Sequence, residues 1–154
     1  MDYEKRLQDL GIVLPQPAKP VAAYVPAVTA GEWVYISGQL PSEAGVLKVT
    51  GKVGASVSPE EGYRAARMCG INCLAALKAA LGDLNRVERV VKVTGFVASA
   101  PGFTGQPAVV NGCSELIKEV FGEAGAHARS AVGVAELPLG AAVEVEMIVR
   151  VKTG

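Results

Sequence analysis

Two long segments of the chain repeat apolar residues at intervals of three and four, which is the spacing of amphipathic helices. The first segment opens with Ser58, Pro59 and Glu61. Ser58 can cap a helix, Pro59 suits its first turn and Glu61 completes a capping box. We predict a helix from this point to Leu81, ended by Gly82. Its buried stripe is predicted to comprise Ala66, Gly70, Leu74, Leu77 and Leu81.

The second long apolar repeat predicts a helix over 107–121, which Gly122 and Gly125 would end. A shorter amphipathic pattern predicts a helix over 2–10, followed by Gly11. Prolines 15, 17 and 20 then predict an extended linker.

Runs rich in valine and other β-branched residues predict the strands. They fall at 21–28, 33–37, 46–53, 87–98, 130–137 and 143–151, and the third is interrupted by Gly51. The resulting order, β-β-(β)-α-β-α-β-β, indicates an α/β or α+β domain.

Apolar and acidic residues alternate in the last predicted strand, so Glu144 and Glu146 share one face and the valines share the other. If this strand forms a hairpin with 130–137, matching the valine faces places Arg129, Ala131 and Gly133 beside the two glutamates, away from the helices. On that register Arg129 and Glu144 are ~20 Å apart and do not meet within one subunit. We expect a second copy of the chain to cover this face, which is rich in small apolar residues.

Composition adds limits to this picture. The 154 residues predict one domain at 21–154, preceded by a short helix and proline-rich linker at 1–20. Fifteen basic residues balance fifteen acidic ones without a basic run, so nucleic-acid binding is not expected. The chain has no apolar run of ~20 residues and no signal-peptide pattern, so we expect a cytoplasmic protein that does not bind membranes.

The cysteines predict packing rather than chemistry. Cys69 and Cys73 could share a helix face, but the chain has no second Cys/His pair. We therefore do not expect a metal site. We expect the cysteines to be reduced, buried thiols. Cys113 and the single histidine, His127, have no apparent catalytic partner in the sequence.

One arginine stands among small residues at the mouth of a predicted strand, in Ala128-Arg129-Ser130-Ala131. Its guanidinium stays charged near neutral pH, and its planar fork matches a carboxylate. The small neighbours leave space above it. This combination predicts a seat for a small carboxylate-bearing metabolite, whereas the alternative is an ordinary salt bridge at a strand end.

Several motifs together resemble the RidA family, also called the YjgF/YER057c/UK114 family, over roughly 24–152. They are Tyr24, Ser37-Gly38-Gln39-Leu40-Pro41, Asn111, Ala128-Arg129-Ser130, Leu137-Pro138 and Val143-Glu144-Val145-Glu146. The resemblance implies an α+β fold of the chorismate-mutase-like (bacillary) type, with a mixed sheet and two long helices on one face. It also implies a homotrimer with ligand sites between subunits, and chemistry that needs no cofactor.

The activity that the resemblance implies is that of a 2-iminobutanoate/2-iminopropanoate deaminase-like hydrolase, which converts reactive 2-imino and enamino acids to 2-oxo acids and ammonia. By the same resemblance, the catalytic residues are Arg129, which holds the substrate carboxylate, Glu144, which serves the water step, and Tyr24, a pocket tyrosine that closes or polarises the site. The implied substrate-binding residues are Ser37, Gly38, Asn111 and Ala131.

Two departures from the family pattern keep other functions open. Typical members carry cysteine where this chain has Ala131, and residues 1–14 form an extension outside the usual family core. One extra residue also separates Asn111 from the arginine. The alternatives are a 2-oxo-acid-binding protein without turnover, or an endoribonuclease or translation inhibitor as described for some members.

Overall fold

The structure is a computed structural model that describes residues 1–17, 19 and 23–153. In chain order its elements are α1 (Tyr3–Asp9), β1 (Ala27–Ala30), β2 (Trp33–Gln39), β3 (Ser42–Glu43), β4 (Val46–Leu47), α2 (Pro59–Leu81), β5 (Val87–Ala98), α3 (Gln106–Phe121), β6 (Ala128–Val134) and β7 (Val143–Val151). Short 3-10 turns lie at Leu84–Arg86, Gly122–Gly125 and Pro138–Gly140.

The two long helices form where the sequence predicts them. Ser58 Oγ accepts a hydrogen bond from the Glu61 N–H at 3.1 Å, and the Glu61 carboxylate accepts one from the Ser58 N–H at 3.4 Å. This capping box starts α2, and Gly82 ends it with a φ of +81°. Helix α3 begins at Gln106, one residue before its predicted start.

Five strands form one mixed sheet in the order β1-β2-β7-β5-β6, and β3 pairs with β4 in a separate hairpin. Neighbouring strands in the large sheet are antiparallel except β5 and β6, which are parallel and are connected through α3. Both long helices pack against the same face of the sheet and against each other. The predicted α+β architecture, a mixed sheet with two long helices on one face, is therefore confirmed.

The first predicted strands need correction. Strand β1 spans Ala27–Ala30 rather than 21–28, and residues 21 and 22 lie outside the described part of the chain. Proline lacks an N–H for a strand ladder, and β1 starts directly after Pro26. The turn to β2 is the two-residue pair Gly31-Glu32, since Ala30 faces Trp33.

The predicted strand 46–53 is likewise wrong beyond Leu47. Strand β4 has two residues, and the chain then turns at Gly51, whose φ of +112° is not a strand conformation. Thr50 and Val53 take part only in isolated bridges.

Strands β6 and β7 do not form the predicted hairpin, because β5 lies between them. The α3 crossover places β6 parallel to β5, so Arg129 lies beside Val93 and Val93 beside Met147. Residues in register on neighbouring strands point to the same face. Arg129 therefore lies on the helix side with buried Val93, and the prediction that it shares a face with Glu144 is wrong.

Strand β6 also runs from Ala128 to Val134 rather than from 130 to 137. Arg129 thus lies inside the strand, at its second residue. Ala131 and Gly133 share its face, because Ala131 opposes Gly95, whose added Cβ would meet Val110 of α3.

Helix α1 is fixed to the core at several points. Tyr3 and Leu7 are buried, and the Tyr3 ring contacts Phe121 edge-on at a centroid distance of 4.8 Å. The Tyr3 N–H donates to Asn85 Oδ1 at 2.7 Å, and Lys78 donates to Glu4 at 2.7 Å.

Cys69, Cys73 and Cys113 are buried free thiols. The sulfurs of Cys69 and Cys73 lie 3.6 and 3.5 Å from β7 carbonyl oxygens, so both thiols are used in helix–sheet packing. Within the ranges that the structure describes, no helix is long and apolar enough to cross a bilayer.

Candidate functional site

Arg129 is held by helix α3. Its Nη1 donates to Asn111 Oδ1 at 2.7 Å and to Ser114 Oγ at 3.2 Å. Asn111 and Ser114 are three residues apart on α3 and therefore lie on one helix face. Among residues 1–17, 19 and 23–153, Arg129 forms no salt bridge, and its Nε and Nη2 have no hydrogen-bond partner. One complete edge of the guanidinium is thus available for an anion.

A cavity of about 280 Å³ adjoins Arg129 and is lined by Ser114, Lys118, Ala126, His127 and Arg129. This lining contains two cationic side chains and no carboxylate. The cavity therefore has the charge that suits an organic acid.

His127 has partners that the sequence did not reveal. Its Nδ1 lies 2.6 Å from the Gly125 carbonyl oxygen, and its Nε2 lies 2.9 Å from Ser114 Oγ. Burial lowers the pKa of His127, the hydrogen bond to Gly125 opposes this, and repulsion from Arg129 and Lys118 lowers the pKa further. The neutral imidazole is therefore favoured.

Ser114 and Lys118 line this cavity but are not among the residues predicted from the sequence. A signal was present, because Asn111, Ser114 and Lys118 follow one another at helical spacings of three and four. At these spacings the three polar residues lie along one side of α3.

A second cavity, of about 360 Å³, contains two other predicted site residues, Tyr24 and Gly38. Its remaining lining is Lys19, Pro26, Gln39, Leu40, Ser42, Gly45, Leu47 and Leu139. Tyr24 is 55% exposed, so its ring can contact a ligand or a partner.

Ser37 forms hydrogen bonds that hold one wall of this second cavity in place. Its hydroxyl donates to the Val25 carbonyl at 2.6 Å, and its N–H donates to the Pro26 carbonyl at 2.9 Å. Both bonds fix the segment that carries Tyr24. The Ser37 hydroxyl is thus used for positioning in this structure.

Glu144 reaches the same region from β7. A bulge in β2 between Ile36 and Gln39 brings Gly38 under the Glu144 side chain. Burial raises the pKa of Glu144, and the charge of nearby Glu146 raises it further. A half-buried carboxyl with a raised pKa can exchange protons closer to neutral pH than an ordinary glutamate.

The remaining candidates supply no thiolate. Ala131, beside Arg129 on β6, packs its methyl group against the core. Burial raises the pKa of Cys113 to about 12, although the charge of Arg129 opposes the shift, so its thiol stays protonated.

The family model described as "YjgF/chorismate_mutase-like, putative endoribonuclease" matches residues 4–150. The chain belongs to this RidA (YjgF) family. It is 52% identical to "Protein TCP17" of Trypanosoma cruzi over 145 residues, covering 94% of this chain and 91% of that protein. It is 33% identical over 141 residues to a protein of Dermatophagoides farinae named "2-iminobutanoate/2-iminopropanoate deaminase", covering 92% and 95% of the two chains.

A solved structure of the protein Atu1372 from Agrobacterium tumefaciens superposes on this RidA-family chain with a TM-score of 0.91 at 50% identity. The match covers 97% of this chain and 92% of that one. The chorismate-mutase-like α+β fold is thereby confirmed.

Within one RidA-family chain the predicted site residues form two separate groups. Arg129 and Asn111 lie on the helix side of β6. Tyr24 and Gly38 line the second cavity, and the Glu144 carboxyl lies against Gly38. The Arg129 and Glu144 Cα atoms are two strands and three residues apart, or about 14 Å. The prediction that these two residues do not meet within one chain is confirmed, although β5 rather than a hairpin register separates them.

Proposed function

We propose that this protein hydrolyses 2-imino and enamino acids to 2-oxo acids and ammonia, with Arg129 holding the substrate carboxylate. The observation that carries the proposal is the Nε/Nη2 edge of Arg129, which has no partner among the described residues and adjoins a cavity without acidic lining. A bidentate, charge-assisted pair with a carboxylate fits this edge. The deaminase name of the Dermatophagoides farinae relative supports the same reaction.

The reaction needs one water molecule and three proton transfers, starting from the imine already protonated on nitrogen. Water attacks the C2 carbon, its proton passes to the Glu144 carboxylate, and the C=N π electrons move to nitrogen to give the neutral carbinolamine. Glu144 then returns that proton to the amino nitrogen, the C–N bond breaks as the hydroxyl oxygen forms the carbonyl, and the hydroxyl proton passes to the departing ammonia, which leaves as ammonium with the 2-oxo acid. The raised pKa of Glu144 suits a group that first accepts and then donates a proton. Tyr24 would close the pocket over the substrate.

Bringing Arg129 to Glu144 requires a second copy of the chain, and we propose that the protein is a homotrimer with sites between protomers. The sheet face opposite the helices supports this, because it exposes apolar side chains that a monomer would leave in water. Tyr35 is 48% exposed and Val132 is 42% exposed on this face. A neighbouring protomer would cover them.

The test compares Arg129→Ala with Arg64→Ala, which removes an arginine from the exposed surface of α2. Ammonia release is measured from freshly generated 2-iminobutanoate, and binding of 2-oxobutanoate is measured by calorimetry. We expect Arg129→Ala to lose about 100-fold or more in kcat/KM and to lose ligand binding. Arg64→Ala should match wild type. Full turnover by a folded Arg129→Ala variant would overturn the proposal.

Ala131 favours a second candidate, a 2-oxo-acid-binding protein without turnover, because the thiol of typical members is absent at this position. Binding of 2-oxobutanoate that depends on Arg129, with no ammonia release from any imino acid tested, would establish that function instead. Cleavage of RNA that persists in Arg129→Ala would point to the endoribonuclease named in the family description.

A further inference from the structure

A continuous chain of hydrogen bonds leads from the backbone to the back of Arg129. It connects the Gly125 carbonyl to His127 at 2.6 Å, His127 to Ser114 at 2.9 Å and Ser114 to Arg129 at 3.2 Å. Asn111 Oδ1 accepts a further hydrogen bond, of 2.7 Å, from the same Arg129 nitrogen, Nη1.

The chemistry of these groups fixes the direction of every bond. A carbonyl oxygen only accepts, so Nδ1 of the neutral His127 carries the proton and donates to Gly125. Nε2 then has a lone pair and accepts the Ser114 hydroxyl proton. The Ser114 oxygen, having given its only hydrogen to His127, presents lone pairs to Arg129 Nη1. Burial lowers the pKa of His127, in agreement with this neutral form.

We propose that His127 is a positioning residue, which acts through Ser114 to hold the Arg129 guanidinium with its Nε/Nη2 edge towards the ligand. Both hydrogens of Nη1 are used by Asn111 and Ser114, so the planar group has a defined orientation. A flexible arginine side chain otherwise loses rotamer entropy when it binds. The expected benefit to carboxylate affinity rests on the proposed function, whereas the positioning itself does not.

The groups that hold Arg129 in place are uncharged, and this favours the binding of an anion. A glutamate or aspartate in place of Ser114 would orient the guanidinium equally well, but would cancel the charge that attracts an anion. A chain of neutral dipoles ending at a backbone carbonyl orients Arg129 and leaves its full positive charge available. Ser114 is itself 91% buried, so water competes little for these bonds.

The first measurement needs no ligand. The chain contains one histidine, so protein labelled with 15N-histidine gives a single pair of ring-nitrogen signals. We expect the neutral Nδ1–H tautomer, with Nε2 shifted towards a hydrogen-bonded acceptor, and we expect Ser114→Ala to move the Nε2 signal. A predominant Nε2–H tautomer, or a signal that Ser114→Ala leaves unchanged, overturns the proposal.

The second measurement separates positioning from general damage. His127→Leu removes the acceptor for Ser114, whereas His127→Gln can still offer an amide oxygen. We expect His127→Leu to lower the order of the Arg129 Nε–H vector in 15N relaxation and to raise the KM for 2-iminobutanoate about fivefold with kcat little changed. His127→Gln should restore both. Equal behaviour of the two variants contradicts positioning.

Failure of the proposed function leaves a different signature. If wild type neither binds 2-oxobutanoate nor releases ammonia, the proposed activity is wrong, while the tautomer and the Arg129 order still decide whether His127 positions the guanidinium.

Discussion

The Glu144 carboxylate lies directly over Gly38, so that a Cβ added to Gly38 would stand 2.8 Å from Glu144 Cδ. Only glycine leaves room for this contact. Ser37 and Gly38 form the bulge of β2, and the same bulge carries the Tyr24 segment through Ser37. A single irregularity in the sheet therefore positions both Tyr24 and Glu144.

Gly38→Ala is expected to displace Glu144 and lower kcat for imine hydrolysis by about tenfold or more, because a proton-transfer group must stay within hydrogen-bond reach of the reacting atoms. The comparison is with Glu144→Gln and with the double variant. If Gly38 acts through Glu144, the double variant is no slower than Glu144→Gln alone. An unchanged kcat in Gly38→Ala contradicts the assigned contact.

The raised pKa of Glu144 predicts a pH dependence of stability. A carboxyl that binds its proton more tightly in the folded chain stabilises the fold below its ordinary pKa of 4.5, and this contribution is lost as pH rises through the folded pKa. Glu144→Gln should therefore gain stability relative to wild type between about pH 4 and about pH 7. Thermal unfolding at both pH values measures the difference, with exposed Glu43→Gln as the control. A constant difference across this interval speaks against burial of the Glu144 carboxyl.

Val132→Glu tests the proposed assembly. Val132 lies on the exposed sheet face in register with Phe96, and a buried charge in an interface is costly. We expect the variant to fold but to elute with the mass of a single chain in light scattering, and to lose turnover. Val13→Glu, at a position that is 89% exposed, is the control and should retain wild-type mass. Wild-type mass for Val132→Glu places this face outside the interface.

Gly112→Ala should destabilise the helix pair. An added Cβ would lie 2.9 Å from the Tyr63 carbonyl carbon, and backbone cannot move aside as a side chain can. We expect a loss of about 3 kcal/mol in the free energy of unfolding. Gly62→Ala is the matched variant, because its Cβ would meet valine methyl groups at 3.2 Å, and it should change stability by about 1 kcal/mol or less. Similar losses in the two variants contradict a backbone contact at Gly112.

Cys113 should resist alkylation in the native protein. Its thiol is buried and its pKa lies at about 12, so almost no thiolate exists at ordinary pH. Iodoacetamide at about pH 8, followed by mass spectrometry, should label Cys113 only after guanidinium unfolding. Rapid labelling of the native protein would mean that the site opens.

The sequence correctly predicted the elements that depend on interactions between residues close together in the chain. The capping residues of α2 and the alternation in β7 are encoded within a few residues, and both elements form where expected. The relation of β6 to β7 is not local. The short connection between β6 and β7 favours a hairpin. In the structure, however, α3 leads to β6 at the edge of the sheet beside β5, and Arg129 consequently lies on the helix side of the sheet rather than on the opposite face.

The candidate site divides in the same way. Arg129 could be found because a charged residue among small ones is visible in the sequence. Ser114 and His127 could not be connected, because their contact requires the relative rotation of α3 and β6. The Tyr24 segment has the residue types of a strand, but Tyr24 precedes Pro26 and β1 begins only at Ala27.

Helix α1 stabilises α3, a helix that lies far from it in the sequence. Its Tyr3 ring closes over Phe121, the last residue of the helix that carries Asn111 and Ser114. A deletion or bulky fusion that displaces Tyr3 would expose Phe121 and loosen the carboxyl end of α3. Removing this first helix is therefore expected to lower the thermal stability of the helix that holds Arg129.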